Sequence, residues 1–209
     1  MGNLFPLYVT AVLSVPLPLF AGLYFYRRLK REMKILLVLF AIVTLVEGYT
    51  FYQTLNQTNY YWVHHIYMPL EYGLLVWVFS YWQNYPFLKR ALRLSIPVFV
   101  LICIIKMLSL ENLMNPNSFT ASVAYASYVG ISSYTMISLQ EQNPCAIHKD
   151  FRFWVGSALL VYSTGGLAYF AFRDTVVNKF MIEIWSIHAI LNIIAHILYS
   201  IGFICQSRR

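Results

Sequence analysis

Seven stretches of about 20 predominantly apolar residues follow one another along the chain, separated by short polar connections. Each is long enough to cross a hydrocarbon core of ~30 Å as a helix. Inside such a core only helices and closed barrels satisfy their own backbone groups, so the pattern leaves few folds open. The crossings are predicted at roughly 5 to 26, 35 to 54, 60 to 82, 91 to 110, 118 to 139, 152 to 172 and 179 to 205. Composition agrees: 59% of residues are hydrophobic and 11% charged, where soluble proteins carry about a quarter charged. The expected fold class is an all-α membrane protein, a seven-transmembrane-helix bundle forming one domain over residues 1–209. Sequential crossings joined by short connections pack as antiparallel hairpins.

The formal net charge of +7 would suit a nucleic-acid partner, but its placement argues against one. Arg27, Arg28, Lys30, Arg31 and Lys34 follow the first crossing; Lys89, Arg90 and Arg93 follow the third; Lys149 and Arg152 follow the fifth; Arg208 and Arg209 end the chain. The alternate connections hold only Lys106, Arg173 and Lys179, a split of twelve against three. By the positive-inside rule this puts the amino terminus outside and the carboxyl terminus in the cytoplasm. The cluster at 27 to 34 would also attract anionic lipid. Cys103, Cys145 and Cys205 show no metal or redox spacing and imply no disulfide framework. The first apolar run lacks the basic start of a secretory signal and carries Pro6, Pro16 and Pro18, so it reads as a retained, kinked helix. Asn56-Gln57-Thr58 is a formal glycosylation sequon on the outer side. Tyr49, Tyr52, Tyr60, Tyr61 and Trp62 beside it read as interfacial belt residues.

Ionisable residues within a crossing are costly in hydrocarbon, face the bundle interior and mark sites or pathways. Glu47 lies in the second crossing, Glu71 in the third, and His188, Asn192 and His196 in the seventh. Those last three stand four apart and form one stripe, with Trp185 and Tyr199 close to its line. His64, Tyr67 and Glu71 share a second face, and His65 points about 120° away from it. Glu71 is roughly 16 Å below Tyr60, and His188 roughly 14 Å below Lys179. If the third and seventh crossings are neighbours, Glu71 accepts a hydrogen bond from His188. Glu47 is similarly placed to meet His64 or His65 across the second and third crossings. The competing reading makes all of these interhelical hydrogen bonds that only hold the bundle together. The serines of the fifth crossing read as close-packing residues. Gly165 and Gly166 mark a hinge or a close-packing point, and Pro69 and Pro97 mark kinks.

Several chemistries are weighed against these groups. A retinal protein needs a lysine midway down its last helix, and only Lys179, at the mouth, is present. His188 and His196 are ~12 Å apart along the axis, too far to share one metal on an unbroken helix. A haem between histidines of different helices has no specific support, no cofactor is expected, and whether a metal binds is left open. Repeats that would point to a transporter are not evident. Enzymatic activity is the less favoured class, although an intramembrane metal- or haem-dependent enzyme stays as a further alternative to a small transporter or channel.

The segments Trp62-Val63-His64-His65-Ile66-Tyr67-Met68-Pro69-Leu70-Glu71-Tyr72, Trp185-Ser186-Ile187-His188-Ala189-Ile190-Leu191-Asn192 and Ile197-Leu198-Tyr199-Ser200-Ile201-Gly202-Phe203 resemble those of small seven-helix integral membrane proteins of bacteria that have no established activity. The likeness covers most of the chain. It implies a multi-pass protein of the bacterial inner membrane and nothing about catalysis. The expected function is that of a receptor-like, sensory bundle binding a small ligand or proton in a polar core. Its ligand-binding residues would be Glu71 and His188, then Asn192, His64, Tyr67 and Trp185, with Glu47 and His196 further out. The expected partners are the lipid bilayer and a signalling or other membrane protein. A histidine titrates near neutral pH when unperturbed, which suits it to trigger a shift of the third crossing against the seventh.

Overall fold

The computed structural model describes residues 5–109, 117–142, 147–172 and 178–207, and every regular element among them is helical. Cys145, Arg173, Arg208 and Arg209, and the side chain of Lys179, lie outside the described residues. The first apolar run forms two helices, α1 (Phe5–Ser14) and α2 (Pro16–Tyr24). Pro16 and Pro18 have no N–H for the carbonyls of Val12 and Ser14, which an unbroken helix would bond. The Val15 N–H takes the Val12 carbonyl instead, at 3.2 Å, in a tighter turn. The remaining helices are α3 (Arg31–Leu55), α4 (Tyr61–Tyr81), α5 (Pro86–Ser109), α6 (Ser118–Gln142), α7 (Phe151–Phe172) and α8 (Asn178–Ser207).

Two helices start earlier than hydropathy places them, because the basic residues before the apolar core are already helical. α3 opens at Arg31 and α5 at Pro86, a residue suited to the first helical position. α7 starts after Asp150, whose carboxylate accepts the Arg152 backbone N–H at 2.9 Å and pairs with its guanidinium at 3.0 and 3.1 Å. Pro69 and Pro97 both sit inside unbroken helices.

Five segments are long and apolar enough to cross a membrane: the α1–α2 pair, α3, α5, α7 and α8. α4 and α6 fall below that hydropathy because they carry histidines, Glu71 and a run of hydroxyls. Protein surrounds both: α4 packs on α3, α5 and α6, while α6 packs on α4 and α7. A helix sheltered in this way need not be apolar all round. α5, outside α4, fully buries only Phe99 among its described side chains. On the outer faces Leu94, Val98, Leu101 and Ile105 of α5 and Ile187, Ile190, Ile194 and Ile197 of α8 are exposed. Soluble proteins rarely present apolar stripes of this length, and they mark a helical membrane protein.

The packing closes a ring in the order α1/α2, α3, α4, α6, α7, α8, with α8 returning against α1 and α2. α4 and α8, the expected third and seventh crossings, therefore face each other across the ring, with no extensive contact between them. One end carries the connection at 56–60; the other carries the basic residues near 27–34, 89–93 and 149–152. In the basic half the ring is filled by packed side chains, among them Leu36, Phe79, Tyr128, Val155, Leu159 and Phe203, all fully buried.

Candidate functional site

In the other half the ring encloses a partly open cavity of about 270 Å³. From α1 it receives Tyr8, Ala11 and Val12, and from α3 Val43, Glu47 and Thr50. α4 contributes His64, Tyr67, Met68 and Glu71, and α6 contributes Tyr125, with Asn117 just ahead of it. α7 supplies Tyr162, Tyr169 and Phe170; α8 supplies Trp185, His188, Asn192 and His196. All eight residues singled out in the sequence thus border one space.

The pairing inside that space differs from the expected one. Glu71 is 3% exposed, and its Oε1 accepts a hydrogen bond from Tyr162 Oη at 3.1 Å. His188 is not its partner, because α4 and α8 stand on opposite sides of the ring and α7 reaches Glu71 first. The Tyr162 hydroxyl donates its only hydrogen to Glu71, so in the 3.0 Å contact with Tyr125 it accepts. A directed chain of hydrogen bonds therefore runs Tyr125, Tyr162, Glu71. The Tyr67 hydroxyl also reaches this carboxyl group, while the buried second oxygen, Oε2, has no hydrogen-bond partner of good geometry.

His188 lies flat on Tyr169, with ring centroids 5.4 Å apart and planes 7° apart. Its Nε2 accepts from Asn192 Nδ2 at 3.2 Å, which places the ring proton on Nδ1. That Nδ1 and the Asn192 Oδ1 are buried without partners. The ring fits because position 165 is glycine: a Cβ there would stand 3.2 Å from His188 Nδ1 and 2.9 Å from Leu191. Gly166 does the same for Tyr125, whose ring would meet an added Cβ at 2.7 Å. α7 runs unbroken through both glycines, which act in this arrangement as close-packing points.

His196 has a structural partner that sequence reasoning missed. Its Nδ1 lies 2.8 Å from Ser14 Oγ, and that hydroxyl donates to the Ala11 carbonyl at 2.7 Å. Ser14 therefore accepts from His196 Nδ1–H. The contact ties α8 to the end of α1, at the break before Pro16. Asn117, also missed, donates from Nδ2 to the His64 carbonyl at 3.3 Å, one residue before the carbonyl that Pro69 leaves without its helical N–H. Glu47 and His64 both border the cavity, whereas His65 is buried away from it.

Two expected belt residues also belong to the cavity lining. The Asn59 side chain accepts the Tyr61 N–H at 2.9 Å and turns the chain into α4, which brings Tyr60 and Tyr61 over the pocket. Tyr49, Tyr52 and Trp62 stay exposed, as belt residues should. The fifth-crossing serines behave as packing residues: Ser122, Ser127 and Ser132 each bond a carbonyl four residues back in α6. Among the described residues no group of three or more His, Cys, Asp or Glu could hold a metal ion. What the site offers is unused hydrogen-bonding capacity and aromatic surface around a small volume. Comparison with known protein families, with curated proteins and with solved structures gives no match to this chain.

Proposed function

We propose that the chain is a seven-span receptor-type sensor of the bacterial inner membrane, amino terminus outside, that binds a small ligand in this cavity. One observation carries the reading: polar groups from six parts of the ring converge on a space whose inner side is closed by packed side chains. Buried polar groups normally have partners, and here Glu71 Oε2, His188 Nδ1 and Asn192 Oδ1 have none. A bound molecule supplies them. The twelve-to-three split of basic residues supports the orientation, which opens the site outward and leaves the basic end for a signalling or membrane-protein partner. The packed inner half favours a binding protein over a channel. At about 270 Å³ the cavity lies at the lower edge of the usual range of ligand sites, ~300 to 1,000 Å³, so the ligand is small.

The test uses the full chain in lipid nanodiscs and a panel of small metabolites of positive, negative and zero charge. At least one compound should raise the midpoint of thermal unfolding of the wild type and fail to do so for His188→Ala and Asn192→Ala. The same compound should not accumulate in proteoliposomes. Accumulation would replace the sensor with a transporter, and a panel without effect would leave the cavity a packing defect.

A further inference from the structure

From the charge and lining of this cavity we infer that its ligand is a small organic ammonium ion carrying N–H groups, held by Glu71 beside an aromatic wall. The inference rests on the reading of the cavity as a ligand site and adds the chemical class of the occupant.

Two carboxyl groups, Glu47 and Glu71, border the space from neighbouring helices. Among the described residues no lysine or arginine lines it, and the basic side chains that do are the histidines His64, His188 and His196. A carboxyl without a counter-charge in a low-dielectric interior stays neutral, and it ionises there when a cation comes close. Among the described residues no permanently charged side chain supplies one within the cavity, and a cationic guest would.

The hydrogen-bond inventory points the same way. Of the four unpartnered buried atoms at the site, Glu71 Oε2 and Asn192 Oδ1 are acceptors, His188 Nδ1 carries a proton, and the Thr50 hydroxyl can donate or accept. Oε1 of Glu71 already takes the Tyr162 hydroxyl, so the free oxygen awaits a donor. An ammonium group brings N–H donors and positive charge together, and bonds of that type are the strong ones. A quaternary ammonium has the charge without the donors. A carboxylate guest would face two acids, and a neutral hydroxyl would leave the charge unanswered.

The walls fit an organic cation better than a bare metal ion. Tyr8, Tyr67, Tyr125, Tyr169, Phe170 and Trp185 line the space, and aromatic faces attract ammonium groups by cation–π interaction. Tyr8 and Trp185 stand against each other from α1 and α8, with ring centroids 6.0 Å apart.

The test measures binding to the full chain in nanodiscs by isothermal calorimetry. The probes are alkylammonium ions from ethyl to hexyl and phenethylammonium, each beside the alcohol and the carboxylate of matching shape, with tetramethylammonium as the donor-free cation. The best ammonium should bind about tenfold or more tighter than its alcohol and than tetramethylammonium. In Glu71→Gln that preference should fall to within about threefold. Glu47→Gln should weaken the same ammonium less, and gives the charge dependence should Glu71→Gln fail to fold.

Alcohols or carboxylates that match or exceed the ammonium ions, and lose affinity in His188→Ala, would overturn the cation while leaving the cavity a ligand site. Failure of every probe, whatever its charge, would overturn both readings. Tetramethylammonium equal to the best ammonium would remove the hydrogen bond to Glu71 from the proposal.

Discussion

The two halves of the bundle are built from the same helices and solve opposite problems. Near the basic end α3, α4, α7 and α8 contribute Leu36, Phe79, Leu159 and Phe203, which fill the ring completely. About one to four turns further along the same four helices come Glu47, Glu71, Tyr162 and His188, around a space that they do not fill. Packing of small and aromatic groups, with no hydrophobic drive between helices in lipid, holds a membrane bundle together. The filled half supplies that packing, and the hollow half keeps unpaired polar atoms that a structural core would avoid. In the function proposed above, the filled half serves stability and the hollow half recognition.

The comparison breaks first if the filled half can be emptied without loss. Phe79 is fully buried and lies 4.7 Å from Trp82, ring centre to ring centre. Phe79→Ala should cost about 3 to 5 kcal/mol through the cavity it leaves. Thermal unfolding in detergent would show it, and a loss under about 1 kcal/mol would mean that the basic half is not the stabilising one. Next comes the seam between the halves. Gly166→Ala drives a Cβ to 2.7 Å from Tyr125 and should cost about 1 to 3 kcal/mol, with Tyr125 displaced from Tyr162. Gly48 has nothing within 4 Å of its added Cβ, so Gly48→Ala is the control and should be neutral or stabilising by up to about 1 kcal/mol. Equal effects at the two glycines would show that the close approach of α6 to α7 contributes nothing.

Legibility in the sequence follows the same division. The helices were readable because apolar runs of membrane length have few alternatives, and the stripes at 64, 67, 71 and at 188, 192, 196 were readable because helical spacing puts them on one face. Position around the ring was not readable: which crossing stands beside which depends on contacts between residues far apart in sequence, so Glu71 was paired with His188 and met Tyr162. Tyr125, Tyr162 and Tyr169 were missed because single tyrosines in apolar helices look the same whether they face a cavity or a membrane interface. Ser14 was missed because a lone serine among apolar residues shows no periodicity. Pro16 and Pro18 announced a kink; that His196 would hold its end from across 182 positions was a tertiary fact.

That contact gives the next smaller effect. Ser14 Oγ is buried between His196 Nδ1 and the Ala11 carbonyl. Ser14→Ala should cost about 1 kcal/mol, since buried hydrogen bonds between membrane helices average ~0.6 and an orphaned donor adds to the loss. Ser14→Thr keeps a hydroxyl and should recover part of that loss. Unfolding midpoints of the two variants measure the difference, and identical midpoints would show that His196 holds nothing at the α1 break.

The smallest expected change in stability is at the most buried charge-bearing residue of the site. Glu71→Gln keeps the shape of the side chain and a carbonyl oxygen that can accept from Tyr162, so the chain from Tyr125 survives. What changes is at Oε2, which has no hydrogen bond of good geometry to lose, and the Tyr67 hydroxyl beside the same group can still use the remaining oxygen. Stability of the empty protein should therefore move by less than about 1 kcal/mol, because replacing an unpartnered atom removes no bond. Binding of an ammonium probe should fall about tenfold or more in the same variant. A large loss of stability would make Glu71 part of the scaffold and erase the distinction between the halves. Unchanged stability with reduced binding would show a group kept for what enters the cavity, at a position where the bundle alone has no use for a carboxyl oxygen.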